Sequence, residues 1–220
     1  MVLLGSLAVP LVLVAMWGSS AGVRLKQSDT AASKVAVATM SDSSYCTPQL
    51  KSVVRRVAAS CGLIDASGGR GCQPMQAKKV ATLNGGDFNA MFKPLSKRAH
   101  IIQFDLDKAE LDEDAKKLVE KAWADQRGAS FFFVVARASP EGDTTYNEGL
   151  SRDRAKAVLT HLESRFKDPD LDKQVGLLWL GEEFAQLDKE FCSWSRSKTG
   201  ECTDKDINRS SFIAWIDCAI

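Results

Sequence analysis

Residues 131–166 read FFFVVARASPEGDTTYNEGLSRDRAKAVLTHLESRF, and this stretch decides the fold. Its first six residues are a continuous apolar run, which is typical of a strand buried on both faces. A turn follows at Pro140-Glu141-Gly142, and residues 146–166 repeat apolar side chains at helical spacing. The stretch therefore predicts a central strand, a turn and a helix that packs back on the sheet.

The segments on either side extend this pattern. Residues 101–105 are predicted to form a strand, and a helical apolar stripe follows at residues 111–122. Two further strands are predicted at residues 175–180 and 212–216, with a cysteine-containing loop between them. This order predicts an α/β fold of the α+β kind, with helices packed on a mixed sheet.

The composition limits the class of protein. The 220 residues are 45% hydrophobic and 26% charged, which is typical of a globular chain with a sizeable core. The length suits one ordinary domain with an appendage, or two small domains. Because 29 basic and 28 acidic residues leave a formal charge of +1, nucleic acid is not expected as a partner.

The first residues indicate export. Residues 2–17 are apolar but interrupted by Pro10, and they are shorter than the roughly 20 residues that cross a bilayer. Small residues follow at Ser19-Ser20-Ala21, so residues 1–21 are interpreted as a signal peptide, with a retained membrane anchor as the alternative. Residues 22–45 are expected to be a linker. The protein is predicted to be exported to the periplasm or cell envelope, with possible outer-membrane association, and the apolar segment is a possible means of membrane association.

Six cysteines, with an export signal, favour disulfide bonds in an oxidising compartment. Of the fifteen connectivities that six cysteines allow, Cys192 with Cys202 is the predicted pair, because both lie in one polar loop. Residues 46–97 form a small cysteine-containing segment with one helix at residues 48–59. Since this segment has too little core to fold alone, it is expected to lean on the main domain, residues 98–220, or to be held by its cysteines.

One arginine falls on the apolar side of the second helix. Arg154 lies four residues after Leu150 and four before Val158, so all three share one face. An arginine directed at the sheet loses its hydration and needs an oxygen acceptor. The best acceptor is a carboxylate that pairs with two nitrogens of the guanidinium at once. That acceptor is either an internal acidic side chain or a ligand, and the spacing alone does not choose between them.

Catalytic motifs are lacking. The sequence contains no Gly-x-Ser-x-Gly elbow, no His-Glu-x-x-His and no phosphate-binding glycine motif, and its only histidines are His100 and His161. The acidic run at residues 105–114 lacks the glycine and the ligand spacing of a calcium-binding EF-hand loop. We therefore predict that the protein is not an enzyme and holds no cofactor and no metal.

A motif after the central strand resembles the signature of OmpA-like C-terminal domains, which bind peptidoglycan non-covalently. Its residues are Ser139-Pro140-Glu141-Gly142 and then Tyr146-Asn147-x-x-Leu150-Ser151-x-x-Arg154-Ala155. Phe104-Asp105 and Asn208-Arg209 match further landmarks in the same order, so the resemblance covers about residues 98–218. It implies a β-α-β-α-β-β order, and Cys192 and Cys202 fall where some relatives carry a disulfide.

The resemblance also implies roles for individual residues. Arg154 matches the arginine that takes the carboxylate of a diaminopimelate residue in the peptidoglycan stem peptide. Asn147 matches an asparagine that shapes the pocket, and Arg209 matches a second basic residue beside it. Asp105 matches a strand-end position near the ligand, and its alternative role is that of a helix cap or turn residue.

One position departs from the family pattern. The family aspartate that holds the ligand's ammonium group is replaced by Ser139, which carries no negative charge. Glu141 could supply the missing carboxylate, and its alternative role is that of a solvated turn residue. The predicted function is a non-catalytic module that tethers the protein to the cell wall. The alternative is an exported structural or protein-interaction module that keeps the fold without glycan binding.

Overall fold

A computed structural model describes residues 45–60, 75–76, 84–125, 129, 131–169 and 171–218. The predicted signal segment, most of the linker, Cys61 and Cys72 lie outside the described residues. Within the described residues, no helix combines the length and the apolar character needed to cross a membrane.

The described chain contains five helices and five strands. In chain order these are α1 Pro48–Ser60, β1 Met75–Gln76, α2 Gly85–Ala90, β2 Ala99–Gln103, α3 Glu113–Ala124, β3 Phe131–Ala136, α4 Thr144–Phe166, β4 Val175–Trp179, α5 Asp204–Asn208 and β5 Ser210–Ile216. Short 3₁₀ turns occupy Lys93–Leu95, Leu171–Lys173 and Lys189–Ser193.

The strands form one mixed sheet in the order β1-β4-β3-β5-β2. β3 is parallel to β4, with Val134 opposite Leu177, and antiparallel to β5, with Val134 opposite Ile213. β2 is antiparallel to the other side of β5. The predicted mixed sheet with packed helices is therefore confirmed, and β5 is inserted between β2 and β3, the two strands that α3 connects.

One face of the sheet is covered by α3 and α4. Their apolar side chains pack on alternate residues of the strands, including Phe132 and Val134 of β3 and Leu177 of β4. The indole of Trp215 in β5 donates a hydrogen bond to the Ala122 carbonyl at 2.8 Å, which fixes the end of α3 on the sheet. This face fits the helical apolar stripes predicted from the sequence.

The other face is covered by α1 and by residues 88–95. Val54 and Val57 of α1 pack in one buried cluster with Phe133 and Phe212 of the sheet. A disulfide joins Cys46, just before α1, to Cys218, just after β5. The described part of the N-terminal segment is thus both packed on the sheet and held by a cysteine, the two possibilities that the sequence left open.

Two of the boundaries that differ from the prediction are explained by local hydrogen bonds. β2 ends at Gln103 rather than at residue 105, because the Asp105 carbonyl accepts a hydrogen bond from the Lys108 N–H and starts a turn. α4 begins at Thr144 rather than at residue 146, because the Asp143 carboxylate caps the helix by accepting from the Tyr146 N–H at 2.9 Å.

Candidate ligand-binding site

The predicted site residues come together at one end of the sheet. β2 and β3 point in the same direction and β5 runs the opposite way. The segment after β2, the segment after β3 and the segment before β5 therefore meet at one edge. Asp105, Ser139 and Arg209 lie in these three segments, and the N-terminal half of α4 lies against them.

Arg154 is buried below this edge with 1% of its surface exposed. Its guanidinium donates to three backbone carbonyls: Nε to Lys108 at 2.9 Å, Nη1 to Arg137 at 3.0 Å and Nη2 to Asp105 at 3.2 Å. The group also lies over the Phe104 ring, 5.2 Å from its centroid. No carboxylate among the described residues contacts it, so the internal ion pair considered from the sequence is not formed.

The electrostatic surroundings of Arg154 favour an incoming anion. Burial, followed by the positive charge of Arg209, lowers the pKa of Arg154 to about 10, against smaller opposing effects of Tyr146 and Asp107. The group stays protonated at neutral pH. Of its five N–H donors, three are used by the carbonyls, which leaves two for a further acceptor.

Glu141 and Arg209 form the second part of the site. The Arg209 Nη2 donates to Glu141 Oε2 at 2.6 Å, and the Lys205 ammonium donates to Oε1 at 2.8 Å. The Ser139 hydroxyl donates to Oε2 at 3.0 Å. These donors, among which Lys205 has the largest effect, lower the pKa of Glu141 to about 2. Glu141 is thus a partly exposed anion that accepts hydrogen bonds from three neighbouring side chains.

Asn147 fixes the turn that carries Glu141. Its amide donates to the Glu141 carbonyl at 2.9 Å and also to the carboxylate of Glu182. The same carboxylate accepts from the Thr144 hydroxyl at 2.7 Å. Asn147 therefore shapes the site through the backbone of the turn, without touching the guanidinium of Arg154.

Asp105 takes part through its backbone. Its carbonyl accepts from Arg154, whereas its side chain is 71% exposed and pairs with Lys198. The hydrogen bond from Lys198 lowers the pKa of this carboxyl. The carboxylate is therefore engaged on the outer side of the site.

Several contributing residues were not predicted. Lys205 and Asp206 come from α5, which begins with a capping box between Thr203 and Asp206, a spacing visible in the sequence. Arg137 is fully buried and donates to the Asn89 side chain at 2.9 Å. Burial lowers its pKa to about 9. Its one sequence signal is a charge directly after the apolar run of β3.

The cysteine loop beside the site is closed by the Cys192–Cys202 disulfide, the pair that the loop suggested. Across the described residues, no group of three or more histidine, cysteine, aspartate or glutamate side chains is arranged to hold a metal ion.

Comparison with known proteins gives matches to solved structures alone. No protein-family model matches the chain, and no curated protein matches it. The chain is similar to the peptidoglycan-associated lipoprotein from Burkholderia pseudomallei, with 20% identity, a TM-score of 0.42, and coverage of 56% of this chain and 93% of that one. It is also similar to the OmpA-like domain of FopA1 from Francisella tularensis subsp. tularensis SCHU S4, with 19% identity, a TM-score of 0.36, and coverage of 54% and 74%. The strand order and register described above, rather than these scores, define the fold class.

Proposed function

We propose that the protein is a non-catalytic peptidoglycan-binding module of the cell envelope, and that Arg154 binds a carboxylate of the stem peptide. The observation that carries this proposal is a buried guanidinium with two unused donors and no carboxylate contact among the described residues. Burying a charge without a counter-ion is costly, so the site gains when a ligand supplies the anion. The sequence resemblance to OmpA-like domains supports diaminopimelate as the source of this carboxylate.

Glu141 is proposed to receive the ammonium group of the same ligand end. Its carboxylate lies beside Ser139, the position where the resemblance expects an aspartate, and Ser139 donates to it. Lys205 and Arg209 neutralise this carboxylate in the absence of ligand. A ligand with one carboxylate and one ammonium group would then place its carboxylate on Arg154 and its ammonium group on Glu141.

One observation favours a second candidate, an interaction or structural module without glycan binding. Each nitrogen of the Arg154 guanidinium already has a carbonyl partner, and Glu141 already has three donors. A site whose groups are paired in this way can persist for stability alone. The two candidates differ in whether the protein is retained by the cell wall.

Co-sedimentation of the full chain with purified peptidoglycan sacculi separates them. Arg154→Ala should abolish retention, whereas Arg152→Ala should leave it unchanged, because Arg152 is an exposed arginine on the same helix that pairs with Asp153. Circular dichroism establishes that both variants are folded. No retention of the wild-type protein, or equal retention of all three proteins, would exclude the tether.

A second variant pair tests Glu141. Glu141→Gln should weaken retention, because the amide offers no charge to an ammonium group. Asp143→Asn should not, because an asparagine side chain keeps an oxygen that can cap α4, and this position lies outside the donor cluster of Glu141. Retention of Glu141→Gln at the wild-type level would remove Glu141 from the binding site.

A further inference from the structure

We propose that the Cys192–Cys202 disulfide positions the ligand site, because the loop that it closes holds both Asp105 and the start of α5 in place. This proposal rests on the proposed function for the identity of the ligand. It assigns to the disulfide a role in ligand affinity in addition to any role in stability.

The loop is fastened along the outer edge of β2. The Ile101 N–H donates to the Ser195 carbonyl at 2.8 Å, and the Ser197 N–H donates back to the Ile101 carbonyl at 3.0 Å. The Gln103 N–H then donates to the Ser197 hydroxyl at 2.8 Å. These contacts extend the sheet by one short parallel bridge, between Ile101 and Arg196. The loop therefore follows β2 to the end where the site lies.

At that end the loop reaches the surroundings of Arg154. Lys198 pairs with the Asp105 side chain, and the Asp105 carbonyl accepts from the Arg154 Nη2. This ion pair joins the loop to the residue whose carbonyl accepts from Arg154. The loop thus helps to set one of the three acceptors around the buried guanidinium.

The other end of the loop leads directly into α5. Cys202 precedes Thr203, the N-cap of this five-residue helix. A helix this short is not stable by itself and depends on what holds its ends. α5 carries Lys205 and is followed by Arg209, and both donate to Glu141. The disulfide therefore anchors the element that presents two of the three donors to Glu141.

The second described disulfide offers a matched control. Cys218 lies just after β5, whereas Arg209 lies just before it. A seven-residue strand spans about 23 Å, so the Cys46–Cys218 bond and the site lie at opposite ends of β5. Opening this bond should loosen α1 without moving the site.

The experiment compares two double variants of the full chain, Cys192→Ser/Cys202→Ser and Cys46→Ser/Cys218→Ser. The two readouts are affinity for a soluble stem peptide that contains diaminopimelate, and the pKa of Glu141 from an NMR titration without ligand. Both are measured under conditions where near-UV circular dichroism of the tryptophans shows native packing. A third variant, Lys198→Met, removes one loop contact with both disulfides intact.

Loss of the Cys192–Cys202 bond should weaken peptide binding about tenfold, because the site is no longer pre-organised, and should raise the pKa of Glu141 from about 2 toward its ordinary value of 4.5. Lys198→Met should weaken binding less, and the Cys46–Cys218 variant should change neither readout. Glu141 that titrates as in the wild type after loss of the Cys192–Cys202 bond, or equal changes in both double variants, would overturn the proposal. Absence of wild-type binding would overturn the proposed function instead, and the ligand-free titration would still decide the role of the disulfide.

Discussion

The carboxylate of Glu141 is held by a lysine, an arginine and a serine, so its ionisation depends on the fold. Its pKa falls from an ordinary value of 4.5 to about 2 in the folded protein. Because the folded value is the lower one, ionised Glu141 contributes its stability above about pH 4.5, and this contribution is lost as the pH falls toward 2.

Glu141→Gln should therefore flatten the pH dependence of the free energy of unfolding between about pH 4.5 and 2. Urea unfolding at a series of pH values measures this slope. Parallel curves for the wild type and Glu141→Gln would show that the donor cluster does not perturb Glu141.

The two buried arginines show how far residue types can be interpreted without a structure. Arg154 could be found, because a cation at an apolar position of a helical repeat breaks the pattern. Its three carbonyl partners could not be predicted, since every residue has a backbone carbonyl and its type does not indicate whether that carbonyl will accept a hydrogen bond from Arg154. Arg137 was missed because a residue at the end of a strand belongs to no repeat, and its partner Asn89 lies in a distant helix.

At the scale of elements, the sheet and α1 are joined at Gly176 of β4. A Cβ at this position would overlap the Phe131 ring and would lie 2.8 Å from Cγ1 of Val57 in α1. Because these neighbours are buried, they have little room to move. The glycine is therefore required by the close packing of α1 on the sheet.

Gly176→Ala should lower the free energy of unfolding by about 1–3 kcal/mol through overpacking. Gly149→Ala is the opposite case, because Gly149 lies in α4 with no atom within 4 Å of the added carbon. Alanine there should stabilise the protein by about 0.5–1 kcal/mol. Denaturant unfolding of both variants measures these changes in the free energy of unfolding. A Gly176→Ala variant as stable as the wild type would contradict the packing of α1 on the sheet.

The elements themselves were largely predictable, and their ends were not. The apolar run of β3 is a strong local pattern, and the helix predicted for residues 146–166 lies within α4. β2 was predicted two residues too late, because its start is set by pairing with β5, far away in the sequence, and its end by the turn at Asp105. The short helix α5 was not predicted, since five residues carry too little apolar repeat.

At the scale of the whole molecule, the Cys46–Cys218 bond joins the first and last parts of the described chain. Nearby, the Tyr45 hydroxyl accepts from Arg98 at 2.8 Å and from the Asp217 N–H at 3.2 Å. Both α1 and the end of β5 are thereby fixed at one edge of the sheet. This arrangement was not predictable, because the pairing of distant cysteines depends on the folded sheet.

Opening the two described disulfides should have unequal effects on stability. The Cys46–Cys218 bond spans 172 residues and the Cys192–Cys202 bond spans 10. The entropy of the unfolded chain then predicts that the free energy of unfolding falls by up to about 5 kcal/mol in Cys46→Ser/Cys218→Ser and by about 3 kcal/mol in Cys192→Ser/Cys202→Ser. Denaturant unfolding of the two variants gives these losses, and a larger loss from opening the short loop would contradict this order.

A buried cation, a short helix and a disulfide-closed loop meet in the site, at one end of the sheet. Its central feature is that Arg154 has no carboxylate partner among the described residues. Calorimetric titration of the full chain with a stem peptide whose diaminopimelate carboxylate is free, and with the same peptide in which that carboxylate is amidated, tests this feature most directly. The wild type should bind the free acid at least about tenfold more tightly, because a charge-assisted pair to Arg154 is lost in the amide, and Arg154→Lys should lose most of this preference. Equal affinity of the wild-type protein for the acid and the amide would contradict the assignment of Arg154 as the carboxylate anchor.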